Sequence, residues 1–198
     1  MTSPLLRFQD YGRRLAAALE GADWAAIEAL GAALFDCLRH GRQVFLCGNG
    51  GSAGNALHIV NDWAYGIAKK RGPALRAHAL PANVSLLTAL ANDEGYPSIF
   101  AEQLATFANS RDLLVVLSGS GNSSNILEAL RRARKMGLRS FAILGYDGGQ
   151  AKSLADRAIH FPVDDMQISE DLQLVVGHML MQWLYDVGFE DSVSAENG

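Results

Sequence analysis

The sequence has little cysteine, no long apolar run and no concentration of basic charge, and each absence excludes a class of protein. Its two cysteines, Cys37 and Cys47, are too few for a disulfide framework and lack metal-ligand spacing, as in a reduced cytoplasmic protein. No apolar stretch approaches the ~18 residues of a membrane-spanning helix, so we expect no membrane association. The N-terminus lacks the apolar segment and cleavage pattern of a secretory signal.

The charge and composition favour a globular protein that binds a small molecule. The formal net charge is -4 and the basic residues are scattered, which argues against nucleic acid as a ligand. With 49% hydrophobic residues, the 198-residue chain can bury a core, and its length suits one domain of ~100–200 residues. We expect one domain over 1–198, with N-terminal helices over 1–40, an α/β core over 41–188 and a flexible tail over 189–198.

Helical periodicity and short apolar runs alternate along the chain. Helical patterns occupy much of 8–38 and, at the other end, 168–184. Strands are predicted at 43–47, 75–80, 113–117, 140–144 and 158–161, with helices between them. Alternating strands and helices form right-handed βαβ units with parallel strands. The predicted fold class is therefore α/β, a three-layer sandwich with a mostly parallel five-stranded sheet and an N-terminal helix pair.

Two predicted strands end in loops rich in glycine, serine and asparagine, Gly48–Ser52 and Ser118–Ser123. Ligands of open α/β sheets bind beyond the carboxyl ends of the strands. Glycines let the backbone approach an anion, N–H groups at a helix start attract it, and serine hydroxyls donate to it. Neither loop contains lysine or arginine, so the pattern favours a small anion such as a sugar phosphate. Two ordinary strand-to-helix turns with helix caps are the alternative.

Nucleotide motifs fit the sequence poorly. The segment Gly48–Ala53 satisfies the loose dinucleotide pattern G-x-G-x-x-A, which requires an acidic residue at the end of the next strand. That strand ends in His78, Ala79 and Leu80. The Gly-Lys-Ser/Thr of an ATP-binding loop is also missing. The sequence therefore predicts no nucleotide cofactor.

Several titratable residues could carry acid–base or metal chemistry. His58 and Asp62 are four residues apart on one predicted helix, so they share a face and could bind a divalent metal, transfer protons or form a plain surface pair. His178 lies midway along an apolar helix, where a histidine is more often a core residue. Glu170 lies near the start of that helix, where a carboxylate favours the helix dipole. Asp93 follows Asn92 in a polar segment that could bind sugar hydroxyls or end a helix.

The order of these motifs resembles that of the SIS (sugar isomerase) domain family. The matching segments are Cys47–Ala53, His58, Leu87–Asp93, Leu117–Ser123 and Gly145–Gly149. The resemblance extends to about Leu184, and within the family the chain is similar to the sedoheptulose 7-phosphate isomerases of heptose biosynthesis. It implies a parallel, flavodoxin-like sandwich and a homotetramer with active sites between subunits.

The resemblance also implies roles for individual residues. Those implied to bind the substrate are Asn49, Gly50, Gly51, Ser52, Asp93, Ser118, Gly119, Ser120, Ser123 and Glu170. The four serines of this set are implied to bind its phosphate. Those implied to hold Zn²⁺ in metal-binding members are His58, Asp62, Glu170 and His178. Family members have glutamate at position 62, arginine at 66, threonine at 119 and glutamine at 170. On one straight helix, residues 170 and 178 would lie ~12 Å apart, so both reach one ion only if the helix bends, starts after 170 or belongs to two subunits.

The reaction that the resemblance implies is an aldose–ketose isomerisation of sedoheptulose 7-phosphate to D-glycero-D-manno-heptose 7-phosphate. It proceeds through a cis-enediol, with Asp62 and His178 as the acid–base pair. A non-catalytic SIS protein that senses sugar phosphates, or one that binds a replication initiator, is the alternative. The initiator-binding branch lacks the histidine of the last helix, so His178 favours an enzyme. Asp62 and Gly66 stand where family members have glutamate and arginine, so an isomerase of a different sugar phosphate is a further alternative.

Overall fold

The computed structural model describes residues 3–69 and 72–196, with side chains described up to 187. The helices in these ranges are α1 (Pro4–Glu20), α2 (Trp24–His40), α3 (Gly51–Asn61), α4 (Val84–Asp93), α5 (Ala101–Phe107), α6 (Ser124–Met136), α7 (Ala151–Leu154) and α8 (Met166–Glu196). The strands are β1 (Gln43–Cys47), β2 (Arg76–Ala79), β3 (Leu113–Ser118), β4 (Arg139–Leu144) and β5 (Arg157–His160). Each predicted strand is confirmed to within two residues at either end.

Within the described residues, the five strands form one parallel sheet in the order β2-β1-β3-β4-β5. Helices cover both faces, so the predicted α/β sandwich is confirmed. The chain leaves β1 toward β2 on one side and later enters β3 on the other. This reversal of strand order lies between β1 and β3, which is the position where ligands of such sheets bind.

The core consists of two apolar layers, one on each face of the sheet. Val44 and Leu46 of β1 point into the layer beneath α2, α3 and α8. Phe45 and Cys47 point into the opposite layer, beneath α5, α6 and α7. Successive side chains of a strand point to opposite faces, so a strand covered on both sides is apolar throughout. The run Leu113–Leu117 of β3 is fully buried for this reason.

The N-terminal helices differ in how they contact the rest of the molecule. Asp23 caps α2 by accepting a hydrogen bond from Ala26 N, and Gly41 ends it in the left-handed conformation. One face of α2 is buried against the sheet. By contrast, α1 contains no buried residue and packs against α8.

Two helices extend differently from the sequence prediction. Helix α8 runs from Met166 to Glu196, so the predicted flexible tail over 189–198 is helical as far as Glu196, and 197–198 lie outside the described residues. The helix predicted to follow the first glycine-rich loop ends in a π-helical turn, Asp62–Gly66. Among the described residues, no helix is both long and apolar enough to cross a membrane.

Candidate functional site

The two glycine-rich loops line one cavity at the carboxyl ends of β1 and β3. These strands are neighbours, with Cys47 paired to Val116, so the loops that follow them lie side by side. The cavity has a volume of about 270 Å³. It is lined by Asn49, Gly50, Gly51, Ser52, Leu117, Ser118, Gly119, Ser120, Ser123, Met166 and Glu170. Most of the residues predicted to bind substrate are therefore together.

The four serines of the cavity keep hydroxyl hydrogens for a ligand. Ser52 Oγ accepts from Gln173 Nε2 at 3.0 Å, and Ser118 Oγ accepts from Gly121 N at 3.0 Å. Ser120 Oγ accepts from Asn122 N at 3.3 Å. Since each hydroxyl is both donor and acceptor, these bonds orient the oxygens and leave the hydrogens available. Within the described ranges, Ser123 begins α6 without using its side chain as a cap.

Asn49 is fixed by two residues that the sequence analysis did not identify. Its amide exchanges two hydrogen bonds with the fully buried Asn125, at 2.9 and 2.8 Å. Tyr96 Oη also donates to Asn49 Oδ1, at 2.8 Å. The first loop is thereby tied to α6 and to the segment after α4. Asn125 lies two residues after the second loop, but its partner is 76 residues away, so no local signal could identify the pair.

Polar contacts also join α3 to α8 beside the cavity. Asn55 Nδ2 donates to the backbone oxygen of Glu170 at 2.9 Å and to Gln173 Oε1 at 3.0 Å. Gln173 is 1% exposed and donates to Ser52 Oγ, so a buried amide orients a loop hydroxyl. The sequence analysis missed Gln173, because a glutamine in an apolar helix has no pattern that indicates its partner.

Further along these helices, three predicted residues form a cluster. His58 Nε2 and His178 Nε2 are 2.9 Å apart, and each lies 3.5 Å from Asp62 Oδ2. The side chains of His58 and His178 are 51% and 48% exposed and that of Asp62 is 23% exposed, so the cluster is open to solvent.

The cluster forms because α3 and α8 pack side by side in the same direction. Ile59 lies against Gly177, where a Cβ atom would approach the isoleucine to 2.7 Å. The indole of buried Trp63 donates to Gly177 O at 3.1 Å. The absence of a side chain at Gly177 therefore lets the two helices approach closely. The next residue of α8, His178, then faces His58.

The donor set fits a divalent metal ion. Histidine nitrogens and a carboxylate oxygen are ligands that zinc prefers, and tetrahedral zinc ligands at about 2.0–2.1 Å lie about 3.3 Å from one another. The three donor atoms of the cluster are separated by 2.9, 3.5 and 3.5 Å, close to that spacing. Three protein ligands leave the fourth position of a tetrahedral ion open, as in catalytic sites.

Two predicted site residues do not lie where the resemblance implies: Glu170 is outside the cluster and Asp93 is outside the cavity. Within one chain, Glu170 is not part of the cluster but lines the cavity, because residues 170 and 178 belong to the continuous helix α8. Residues 170 and 178 of one chain therefore do not share a single metal site. Asp93 is exposed at the end of α4, accepts from Asn92 Nδ2 at 2.7 Å and does not line the cavity.

The thiols near the core are poor nucleophiles. Burial raises the pKa of the Cys47 thiol far above its ordinary value and raises the pKa of Cys37 to about 11. Both thiols are therefore protonated at neutral pH. The chemistry available at the site is that of the hydroxyls, the imidazoles and the carboxylates.

The comparisons with known proteins agree with this arrangement. Residues 7–145 match the SIS domain family. A phosphoheptose isomerase of Akkermansia muciniphila is 39% identical over 156 residues, covering 79% of this chain and 82% of that protein.

Solved structures extend the similarity to the whole fold. A phosphoheptose isomerase structure from Francisella tularensis has a TM-score of 0.86 and 28% identity, covering 93% of this chain and 100% of that one. The structure from Neisseria gonorrhoeae has a TM-score of 0.84 and 26% identity, covering 92% and 98%.

Proposed function

Because the chain belongs to the SIS domain family and, within it, to the phosphoheptose isomerases, we propose that it isomerises sedoheptulose 7-phosphate to D-glycero-D-manno-heptose 7-phosphate. The observation that carries the proposal is the proximity of two sets of groups along α3 and α8. The hydroxyl-lined cavity lies between the two glycine-rich loops, at the starts of α3 and α8. The His58–Asp62–His178 cluster lies further along α3, its following π-helical turn and α8.

The cavity binds the phosphate of the substrate. The hydroxyls of Ser52, Ser118, Ser120 and Ser123 donate to its oxygens, and the backbone at the start of α3 adds the positive end of the helix dipole. Asn49, Gly50, Gly51 and Gly119 shape the walls. Asp93 contacts the substrate only if a neighbouring subunit brings it to a site, so its role depends on assembly.

The cluster carries out the proton transfers. One group removes the proton from the carbon beside the carbonyl, which gives a cis-enediol, and the proton is returned to the adjacent carbon. Asp62 and His178 are the acid–base pair. Asp62 Oδ2 points toward both imidazoles, and its Oδ1 lies 3.4 Å from Asn61 Nδ2.

Zn²⁺ is the proposed cofactor, held by His58, Asp62 and His178. When bound, zinc polarises the oxygens of the reacting carbons. The resemblance also implies Glu170 as a zinc ligand, and it could complete the ligand set only from another subunit.

The remaining proposals concern the whole protein. We propose a single SIS domain, a cytoplasmic location and a homotetramer with sites between subunits. We propose no nucleotide cofactor and no nucleic-acid or membrane partner.

Turnover of sedoheptulose 7-phosphate, with and without added zinc, tests the proposal. We expect His178→Ala to lower kcat by about 100-fold or more, because general acid–base groups contribute about that much, and to weaken zinc binding measured by calorimetry. His40→Ala is the matched control, since His40 is an exposed histidine at the end of α2. Sugar-phosphate binding without turnover would indicate a regulator, and binding of an initiator protein with neither would indicate an adaptor.

An isomerase of a different sugar phosphate is the second candidate, favoured by two packing features. A Cβ atom at Gly119 would lie 2.6 Å from Met166 Sδ, and one at Gly66 would lie 2.7 Å from Met181 Cε. Methionines thus fill the space beside two positions where family members have threonine and arginine. Assay of a panel of aldose and ketose phosphates distinguishes the two candidates.

A further inference from the structure

The cavity that binds phosphate in the proposed function contains an anion of its own and no cation. Its lining residues include Glu170 but neither lysine nor arginine. In the described part of the chain, no hydrogen bond or ion pair reaches the Glu170 carboxylate. A half-buried carboxylate without a partner is unusual beside a site for a second anion, because like charges in one cavity disfavour each other.

The position of Glu170 is fixed by the packing of α8 on α3. Its backbone oxygen accepts from Asn55 Nδ2 at 2.9 Å, and Asn55 is also bound to buried Gln173. The carboxylate covers the first residue of α3. A Cβ atom at Gly51 would lie 2.2 Å from Glu170 Oε2 and 2.4 Å from Oε1. Glycine at 51 is therefore what leaves room for the carboxylate at this wall of the cavity.

We propose that Glu170 is a specificity-determining residue, which weakens binding of bare phosphate and favours phosphate esters of polyols. A carboxylate accepts hydrogen bonds and donates none. It therefore repels phosphate oxygens and accepts from the hydroxyl groups of a sugar. A ligand without hydroxyl groups meets only the repulsion, whereas a sugar phosphate recovers hydrogen bonds. The inference rests on the proposed function, since it concerns the same cavity.

Calorimetric binding of inorganic phosphate and of sedoheptulose 7-phosphate tests the inference on the full chain. In Glu170→Gln we expect the affinity for inorganic phosphate to rise about tenfold or more, because one of two like charges in the cavity is removed. The affinity for the sugar phosphate should rise less or fall, so that the ratio of the two affinities drops. Glu170→Asp, which keeps the charge, should not raise the affinity for phosphate.

Glu20→Gln is the matched control, since it removes the same charge from an exposed position at the end of α1. An unchanged or weaker affinity for phosphate in Glu170→Gln overturns the inference. An equal gain for both ligands also overturns it, because Glu170 would then repel anions without discriminating between them.

Turnover separates this inference from the proposed function. Wild-type protein that shows the expected binding pattern but does not isomerise sedoheptulose 7-phosphate contradicts the function alone. Protein that isomerises it while Glu170→Gln binds phosphate no more tightly contradicts the inference alone.

Discussion

Gly121 joins the second glycine-rich loop to the loop that follows β4. Its φ of +64° lies in the left-handed region, and a Cβ atom there would lie 2.0 Å from Gly148 O. Glycine is required at this position for both its conformation and its lack of a side chain. Gly121 N also donates to Ser118 Oγ, so the backbone here orients a hydroxyl of the cavity.

We predict that Gly121→Ala is more damaging than Gly41→Ala. Gly41 has a φ of +62° but open space around it, so alanine there costs only the conformational strain of about 1 kcal/mol. At Gly121 the contact with the Gly148 carbonyl adds to that strain, and we expect a total loss of about 3 kcal/mol or more and weaker sugar-phosphate binding. Chemical denaturation and calorimetry measure both effects. Equal losses in the two variants would show that the loop moves aside.

At the scale of elements, hydrogen bonds attach α1 to the start of α8. Arg14 Nη1 donates to Asp165 Oδ2 at 2.7 Å, and Tyr11 Oη donates to Asp171 Oδ2 at 2.6 Å. Asp165 also caps α8 by accepting from Ile168 N. The first turns of α8 carry Met166 and Glu170, which line the cavity, so α1 stabilises one of its walls.

This attachment predicts a specific sensitivity to alkaline pH. Burial, with the hydrogen bond to Asp171, raises the pKa of Tyr11 to about 12, above the value of about 10 expected in the unfolded chain. The stabilisation from neutral Tyr11 is therefore complete below about pH 10 and is lost as the pH rises toward about 12. In urea unfolding at fixed protein concentration, wild-type stability should fall more steeply above pH 10 than that of Tyr11→Phe.

At pH 8, Tyr11→Phe should lower the free energy of unfolding by about 1.5–3 kcal/mol, the contribution of a hydrogen bond to a charged group. Tyr65→Phe is the control, because Tyr65 is 65% exposed. Identical pH slopes for wild type and Tyr11→Phe would contradict the role given to the Tyr11–Asp171 hydrogen bond.

At the scale of the whole molecule, a single chain leaves large apolar side chains in contact with solvent. On α1 these include Leu5, Leu6 and Phe8, which are 62%, 54% and 72% exposed. Trp24 and Trp183 lie around a second cavity of about 310 Å³ and are 51% and 41% exposed. Clusters of exposed apolar residues mark contact surfaces, which supports the proposed tetramer.

We predict that Leu5→Glu combined with Phe8→Glu reduces the size of the assembly. Charges introduced at the centre of an apolar interface remove contacts and must be desolvated. The free energy of subunit association should therefore weaken by more than about 2 kcal/mol per contact. Light scattering after size exclusion should give a mass of four chains for wild type and fewer for the variant. Gln9→Glu adds charge at an exposed polar position of the same helix and should leave the mass unchanged, whereas a monomeric wild type would contradict the proposed tetramer.

The local features of this protein follow from its amino-acid sequence alone. Apolar periodicity set the strands and helices, because burial on one or both faces fixes which positions must be apolar. The hydroxyl-rich loops and the four-residue spacing of His58 and Asp62 were also visible, since each depends only on neighbours along the chain.

Which of these features come into contact depends on how the whole chain folds. The order β2-β1-β3-β4-β5 brings two loops about 70 residues apart to one cavity. The packing of α8 along α3 brings His178 to His58 and leaves Glu170 at the cavity. The buried pair Asn49–Asn125 could not be predicted from the sequence for the same reason. Contacts between distant segments follow from the packing of the whole core, which no local pattern encodes.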